Sequence, residues 1–327
     1  MTTRPAIVAA TIAVILLGSA GLARQSVWGG FSGKGQAAGN SITAATDFRA
    51  PTASGATIGK TAGGLAGQIK KGATYYVYAN ASDTGNPASG VSIVTANVSS
   101  LTAGATAVAL SAGSFSSGGV SYAYRSAAQT AGASLAAGSY AYSLTLTDVA
   151  GNSQTQSGFS VTVDNTGPSG TDVQTPVVGT TNGLAQAGDT IAFSFSKAID
   201  PNSILAGWSG SSTSVVVRLN NGAGSNNDTV TVFNSTNATQ LPLGSVNLGR
   251  ADYTSASITF GATGTASTMV MSGNTITVTL GTQSAAATTA AATGTMSWTP
   301  SASATDPAGN AASTTAVTES GTADKDF

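Results

Sequence analysis

Aspartate is the one side chain here with enough copies and the right chemistry to build a reactive or ion-binding centre. The chain has no Cys and no His, and Glu319 is its sole glutamate. Without histidine, the commonest general base and the commonest transition-metal ligand are missing. Without cysteine there are no disulfides, thiol nucleophiles or thiolate metal sites. Serine–histidine hydrolysis and zinc chemistry are therefore excluded. Two uses of aspartate remain. A pair of carboxylates can cleave glycosidic bonds, and a cluster of Asp, Asn and backbone oxygens can hold a hard cation. For the first use, Asp83, Asp148, Asp189, Asp200, Asp228, Asp252 and Asp306 all lie in Gly-, Pro-, Asn- or Thr-containing surroundings, where turn and cap bonding explains them. A non-catalytic protein is expected. For the second, Asp83, Asp148 and Asn152 form a candidate calcium set, provided the loops that carry them meet at one end of a sandwich. Side-chain-to-backbone turn bonding accounts for the same three residues. No other cofactor is expected. EF-hand spacing is absent, and Asn226-Asn227-Asp228 offers one carboxylate among amides.

Two of these aspartates open the same turn. Asp148-Val-Ala-Gly-Asn152 and Asp306-Pro-Ala-Gly-Asn310 lie 158 positions apart, each near the end of a Thr/Ser/Val-rich stretch. A Gly permits positive φ and the Asp and Asn bond back to the turn, so each reads as a link between two strands. A chain of 327 residues accommodates two domains. Only 8% of residues are charged, so solubility rests on Ser, Thr, Asn and backbone. The dominance of Thr, Ser, Gly, Ala and Val favours strands over helices. A net charge of −1 provides no field for nucleic acid or anionic lipid.

The elements that would position these turns follow from period-two alternation. Strands are expected at Thr74–Ala81, Val91–Val98, Ala105–Leu110, Val120–Tyr124, Ser139–Thr147 and Phe159–Val163, giving a first sandwich over residues 51–166. Tyr76 and Tyr78 fall on one face, Tyr75 and Val77 on the other. A second sandwich is expected over 167–327. Its strands lie at Ile191–Phe195, within the stretch that opens at Gly188, and at Val215–Leu219, Thr229–Phe233, Ser257–Phe260, Thr268–Met271, Thr275–Leu280 and Gly294–Trp298. Ser272-Gly273-Asn274 should form a tight hairpin. Asp200 at the N-cap, Pro201 at N1 and Gly207 as a stop predict one helical turn, with Ile204, Leu205 and Trp208 as apolar plugs. Ala285–Ala292 reads as a loose loop.

Several stretches resemble known families. Thr147-Asp148-Val149-Ala150-Gly151-Asn152, followed by Val161-Thr162-Val163-Asp164-Asn165-Thr166-Gly167-Pro168, resembles the end of a bacterial Ig-like repeat. Gly188-Asp189-Thr190-Ile191-Ala192-Phe193-Ser194-Phe195-Ser196 before Asp200-Pro201-Asn202-Ser203-Ile204 resembles the opening of another bacterial Ig-like class, found in surface-layer and adhesin proteins. These likenesses imply an all-β chain of two tandem Ig-like antiparallel sandwiches. Near the N-terminus, Phe31-Ser32-Gly33 and Asn40-Ser41-Ile42-Thr43-Ala44 resemble exported proteins of the camelysin/TasA type, which use a dedicated signal peptidase.

Export is also expected from the residues themselves. Arg4 precedes an apolar run from Ala6 to Leu17, then small residues at Gly18, Ser19, Ala20 and Gly21, with Ala23 the expected last residue before cleavage. The run is short for a membrane span; a retained anchor is the alternative. A Gly/Ser-rich lead-in occupies 24–50. The expected protein is secreted or cell-surface, with a structural or adhesive role and an extracellular or envelope partner, protein or glycan. Alternatives are a polysaccharide-binding module and a self-associating, fibre-forming matrix subunit. Sugar stacking would need exposed aromatics; tyrosines at the core edge account for most of those in the first module, and Tyr75 is the one to test. Trp208 reads as a core plug.

Overall fold

The computed structural model describes residues 47–60, 65–176, 181–222, 224 and 226–327. The expected signal peptide, its cleavage at Ala23 and most of the 24–50 lead-in lie outside the described residues. The described chain is all-β, with a single helical turn.

Nine strands build the first sandwich: β1 (Thr52–Gly59), β2 (Gln68–Ile69), β3 (Thr74–Ser82), β4 (Val91–Asn97), β5 (Val108–Ser117), β6 (Val120–Ser126), β7 (Gln129–Thr130), β8 (Gly138–Asp148) and β9 (Ser153–Val163). Their hydrogen-bonded order is β1-β3-β6-β5-β4-β8-β9-β2, with β7 beside β3. Strand β5 belongs to both layers. Val108 and Ala109 pair with β4, while Leu110–Ser117 pair with β6. One layer is thus β1-β3-β6-β5 and the facing one β4-β8-β9-β2. Alternation sets what lies between them: Tyr142, Leu144 and Leu146 of β8 point inward while Ser143, Thr145 and Thr147 stay half-buried. Ile58, Ile69, Val77, Val94, Ala96, Val161 and Val163 complete the core. Burying a leucine such as Leu144 contributes about 2 kcal/mol.

The faces of β3 are as the alternation predicts. Tyr75 and Val77 enter the core. Tyr76 and Tyr78 lie opposite, with Tyr78 against Tyr122 at 5.6 Å and the Arg125 guanidinium 4.8 Å over Tyr76. Tyr75 is therefore no stacking platform for sugars. It is fully buried, and its hydroxyl shares a 2.7 Å hydrogen bond with Thr102 Oγ1. The strand expected at Ala105–Leu110 begins only at Val108 and runs seven residues further, to Ser117.

The second sandwich comprises β10 (Gly170–Gln174), β11 (Thr190–Phe195), β12 (Thr213–Asn220), β13 (Thr229–Asn234), β14 (Ser245–Asn247), β15 (Ile258–Phe260), β16 (Ser267–Ser272), β17 (Thr275–Thr279), β18 (Ser297–Thr299) and β19 (Val317–Thr318). The order is β10-β11-β17-β16-β12-β13-β14-β18-β19, with β15 on β12. Trp298 anchors its core, meeting Phe193 at 5.3 Å and Phe195 at 4.9 Å edge-on, while its indole N–H donates to Leu243 O. Strands β16 and β17 close through Gly273 and Asn274, with Ser272 opposite Thr275 and Gly273 at φ +58°, a two-residue link of the kind that glycine favours. The helical turn α1 (Pro201–Ile204) has Asp200 as N-cap, its carboxylate accepting from Asn202 N, and Pro201 in the first turn. Ile204 and Trp208 are buried plugs, as expected. Residues 285–292 form no helix. The first core draws on residues from Ala53 to Val163 and the second on residues from Val173 to Phe327, so the two share no side chain.

Candidate functional site

Each sandwich carries one of the repeated aspartate turns at its head, and the two are built alike. In the first, between β8 and β9, Asp148 Oδ1 accepts from Asn152 N at 2.7 Å and Oδ2 from Asn152 Nδ2 at 2.7 Å. In the second, Asp306 Oδ1 accepts from Asn310 N at 2.8 Å and Oδ2 from Asn310 Nδ2 at 3.0 Å. The turns close by the same backbone bonds, Asp N–H to Asn O and Gly N–H to Asp O. Gly151 and Gly309 take φ of +93° and +88°, which is why the motif requires glycine there.

The match extends to the extended segment that leads into each sandwich. Asn310 Nδ2 also donates to Asp164 O at 2.9 Å, and Asn152 Nδ2 to Asp47 O at 3.1 Å. Asp164 Oδ1 accepts from Thr166 N and Asp47 Oδ1 from Arg49 N, each two residues on. Both aspartates precede a proline by four positions, Pro168 and Pro51. A third position follows from the loop after the early strand. Asp83 is followed by Asn86-Pro87 and Ser89; Lys197 is followed at the same intervals by Asp200-Pro201 and Ser203. Asp47, Asp83 and Asp148 in the first sandwich thus correspond to Asp164, Lys197 and Asp306 in the second.

The electrostatics of the two heads are opposite. In the second, Lys197 Nζ lies between Asp164 Oδ2 and Asp306 Oδ2, with Asp306 at 2.8 Å and fully buried. Burial pulls the Lys197 ammonium down, but the two carboxylates outweigh it and its pKa is raised. Burial pushes Asp164 up, and the Lys197 bond reverses this to hold it below its usual range. The first sandwich supplies two more lysines to this joint. Lys60 Nζ pairs with Asp200 Oδ2 at 2.6 Å and donates to Asp306 O at 3.3 Å, and Lys70 Nζ donates to Gly309 O at 2.6 Å. The joint buries Pro307 and Ala308 of the turn.

The first head holds three carboxylates instead. One oxygen each from Asp47, Asp83 and Asp148 lies within 4.8 Å of the others, and Asp47 and Asp148 are only 3% and 2% exposed. Asp47 Oδ2 accepts from Ser89 N at 2.8 Å; Asp83 accepts from Gly85 N and Gly90 N. The N–H groups of Arg49 and Ser89 hold the Asp47 carboxyl below its usual range against its burial. No ion pair reaches any of the three among the described residues. Gly85 is so close that a Cβ there would collide with the Asp47 carboxylate. Val149 and Phe48 flank the cluster at 70% and 75% exposure, whereas Pro307, at the position of Val149, is covered.

Of the expected calcium set, Asp83 and Asp148 meet. Asn152 does not join them as an oxygen donor: its amide nitrogen donates to the Asp148 carboxylate and to the Asp47 backbone carbonyl, so it orients the first and anchors the chain at the second. Asp47 was missed, although the D-x-x-x-P spacing it shares with Asp164 marks it. Asp228, beside the Asn-rich loop, is fully buried and accepts from Gly222 N, Tyr253 N and Thr254 N, a structural role. A second acidic group, Glu319, Asp324 and Asp326, lies near the last residues. Burial first, then the Glu319 and Asp324 charges, push Asp326 up to about 7 despite its bonds from Thr175 and Tyr253. Among the described residues, no helix is long and apolar enough to cross a membrane. No family model matches this chain, and no curated protein matches it.

Proposed function

We propose that this chain is an exported, non-catalytic surface or extracellular protein in which two Ig-like sandwiches serve a structural or adhesive role. The observation that carries the reading is the lysine joint. Lys60 and Lys70 of the first sandwich reach Asp200, Asp306 O and Gly309 O of the second, where Lys197 already holds Asp306, making the pair a stiff spacer. Support also comes from the buried aspartates, since Asp148, Asp200 and Asp306 accept backbone N–H groups within turns and a cap, and Asp228 accepts those of Tyr253 and Thr254 from another loop. Work is then done by surfaces at the ends and edges. The export reading rests on Arg4, the Ala6–Leu17 run and the small residues up to Ala23.

The test is fractionation of producing cells with mass measurement of the mature chain. An envelope or extracellular product beginning after Ala23 is expected. A cytosolic product retaining Met1 would overturn the reading. A glycan-binding alternative draws on one feature, the partly exposed Tyr76, Tyr122 and Phe115 with Arg125 stacked 4.4 Å over Phe115. Glycan-array binding that is lost in Tyr122→Ala would favour it.

A further inference from the structure

We infer that Arg125 is a binding site for carboxylate groups, and that its ligand is an acidic polysaccharide. Arg125 lies on β6, on the outer face of the first sandwich, opposite Tyr78 of β3. It is the sole charged residue in the four strands of that layer. Its guanidinium lies 4.8 Å over the ring of Tyr76 and 4.4 Å over that of Phe115, one ring from each flanking strand. Strand β5 is shaped for this contact. Its register shifts between Ala112 and Phe115, and a bulge of that kind re-aims a side chain. The Phe115 ring lies over Gly113, where a Cβ would stand 2.7 Å from the ring's tip. Rings above a guanidinium satisfy its faces and leave its N–H groups, which lie in the plane, for another acceptor. Among the described residues Arg125 has no such acceptor, neither a carboxylate nor a carbonyl.

Arg218 shows the completed arrangement in the same chain. It lies 3.6 Å over the Phe233 ring, and Asn237 fills its edge: Nε donates to Asn237 Oδ1 at 2.8 Å and Nη2 to Asn237 O at 2.7 Å. Arg250, also half-buried, gives its Nε and Nη2 to Asp252. Arg125 is equally half-buried and is stacked as Arg218 is, with that edge open. A planar fork held in place loses little freedom on binding and matches a carboxylate through two parallel bonds. The rings decide what carries the carboxylate. Tyr76 and Phe115 are partly exposed, and they offer apolar surface to the C–H face of a sugar ring beside its carboxylate. On β5 and β6, Ser111, Ser114, Ser116 and Ser121 are exposed hydroxyls without a competing charge. A uronic acid residue within a polysaccharide has both the carboxylate and the ring; an aspartate or glutamate side chain has the carboxylate alone. The inference deepens the adhesive reading, and rests on it for meeting such a polymer outside the cell.

The test is surface plasmon resonance of the purified full chain over immobilised polygalacturonate, with dextran as the neutral surface and polyglutamate as the acidic peptide. Because the chain is purified, failure here is separate from failure of the fractionation test. Wild type should bind polygalacturonate, less tightly as salt rises, and bind dextran and polyglutamate at least about tenfold more weakly. Arg125→Gln should weaken binding to polygalacturonate about tenfold, as loss of one charge-assisted contact predicts. Arg125→Lys keeps the charge but loses the fork, and should also bind more weakly. Arg49→Gln, which removes an exposed arginine on the segment before β1, should bind as wild type does. Circular dichroism checks that each variant folds. If Arg125→Gln does not, unchanged binding by Arg125→Lys overturns the proposal. Absence of wild-type binding to polygalacturonate would also overturn it, as would equal binding by a folded Arg125→Gln. Polyglutamate bound as tightly would do the same, because the partner would then be an acidic peptide or any polyanion.

Discussion

Asp326→Asn should flatten the dependence of stability on pH above pH 4. In the folded protein Asp326 is 1% exposed, and it keeps its proton up to about pH 7, against 3.8 for an ordinary aspartate. Folding therefore takes up a proton in the window between those values. A group whose folded pKa is raised contributes its stability below the unfolded pKa and loses it as pH rises through the folded one. A shift of roughly 3 units at 1.36 kcal/mol each gives about 4 kcal/mol lost between pH 4 and pH 8. The asparagine amide has no proton to lose and can still accept from Thr175 or Tyr253. Urea unfolding of wild type and variant across this range measures the effect, since the difference between the two profiles cancels other titrating groups. The variant should gain stability relative to wild type as pH rises, by about 4 kcal/mol at the alkaline end. Parallel profiles would refute the reasoning, because they would mean that Asp326 ionises alike in folded and unfolded chains.

Other perturbations read different parts of the structure. Lys197→Met leaves fully buried Asp306 without its cation, and urea unfolding should show a loss of about 3 kcal/mol. Gly85→Ala places a methyl against the Asp47 carboxylate, so thermal melts should show a loss of about 2 kcal/mol while the circular dichroism spectrum is unchanged. Tyr142→Phe removes a buried hydroxyl that has no hydrogen-bond partner while keeping the ring on Phe159, 5.5 Å away; thermal melts should show no loss, or a gain of up to about 1 kcal/mol. Trp298→Ala empties the centre of the second core and should cost about 4 kcal/mol by urea unfolding.

Strands β3 and β8 are legible in the sequence because Tyr75, Val77, Leu144 and Leu146 alternate with polar residues and face one buried layer each. Strand β1 is not, since Thr-Ala-Ser-Gly-Ala-Thr-Ile-Gly has little contrast between its faces and is held by pairing with β3. The far half of β5, Ser-Ala-Gly-Ser-Phe-Ser-Ser, is silent for the same reason. Its extended shape comes from crossing between layers, which no local pattern encodes. Strands β2, β7 and β19 are two residues each, below the length at which period two can be read. At the candidate site, Asp83 and Asp148 could be brought together from loop placement alone. Asp47 lies in the lead-in, where only comparison with Asp164 and Pro168 singles it out. The replacement of Asp83 by Lys197 was likewise visible as equal spacing to a following Pro and Ser. What it does required the ammonium to be seen between two carboxylates.

Three of the chain's six lysines converge on the Asp306 turn. In a polymer so poor in ionic groups, half of one cation type is thus concentrated in a single hinge region. Between the two sandwiches the contact runs through three of these bonds, Lys60 to Asp200 and to Asp306 O and Lys70 to Gly309 O. Parting the halves would therefore strip two ammonium groups and the buried Asp200 carboxylate of their partners at once.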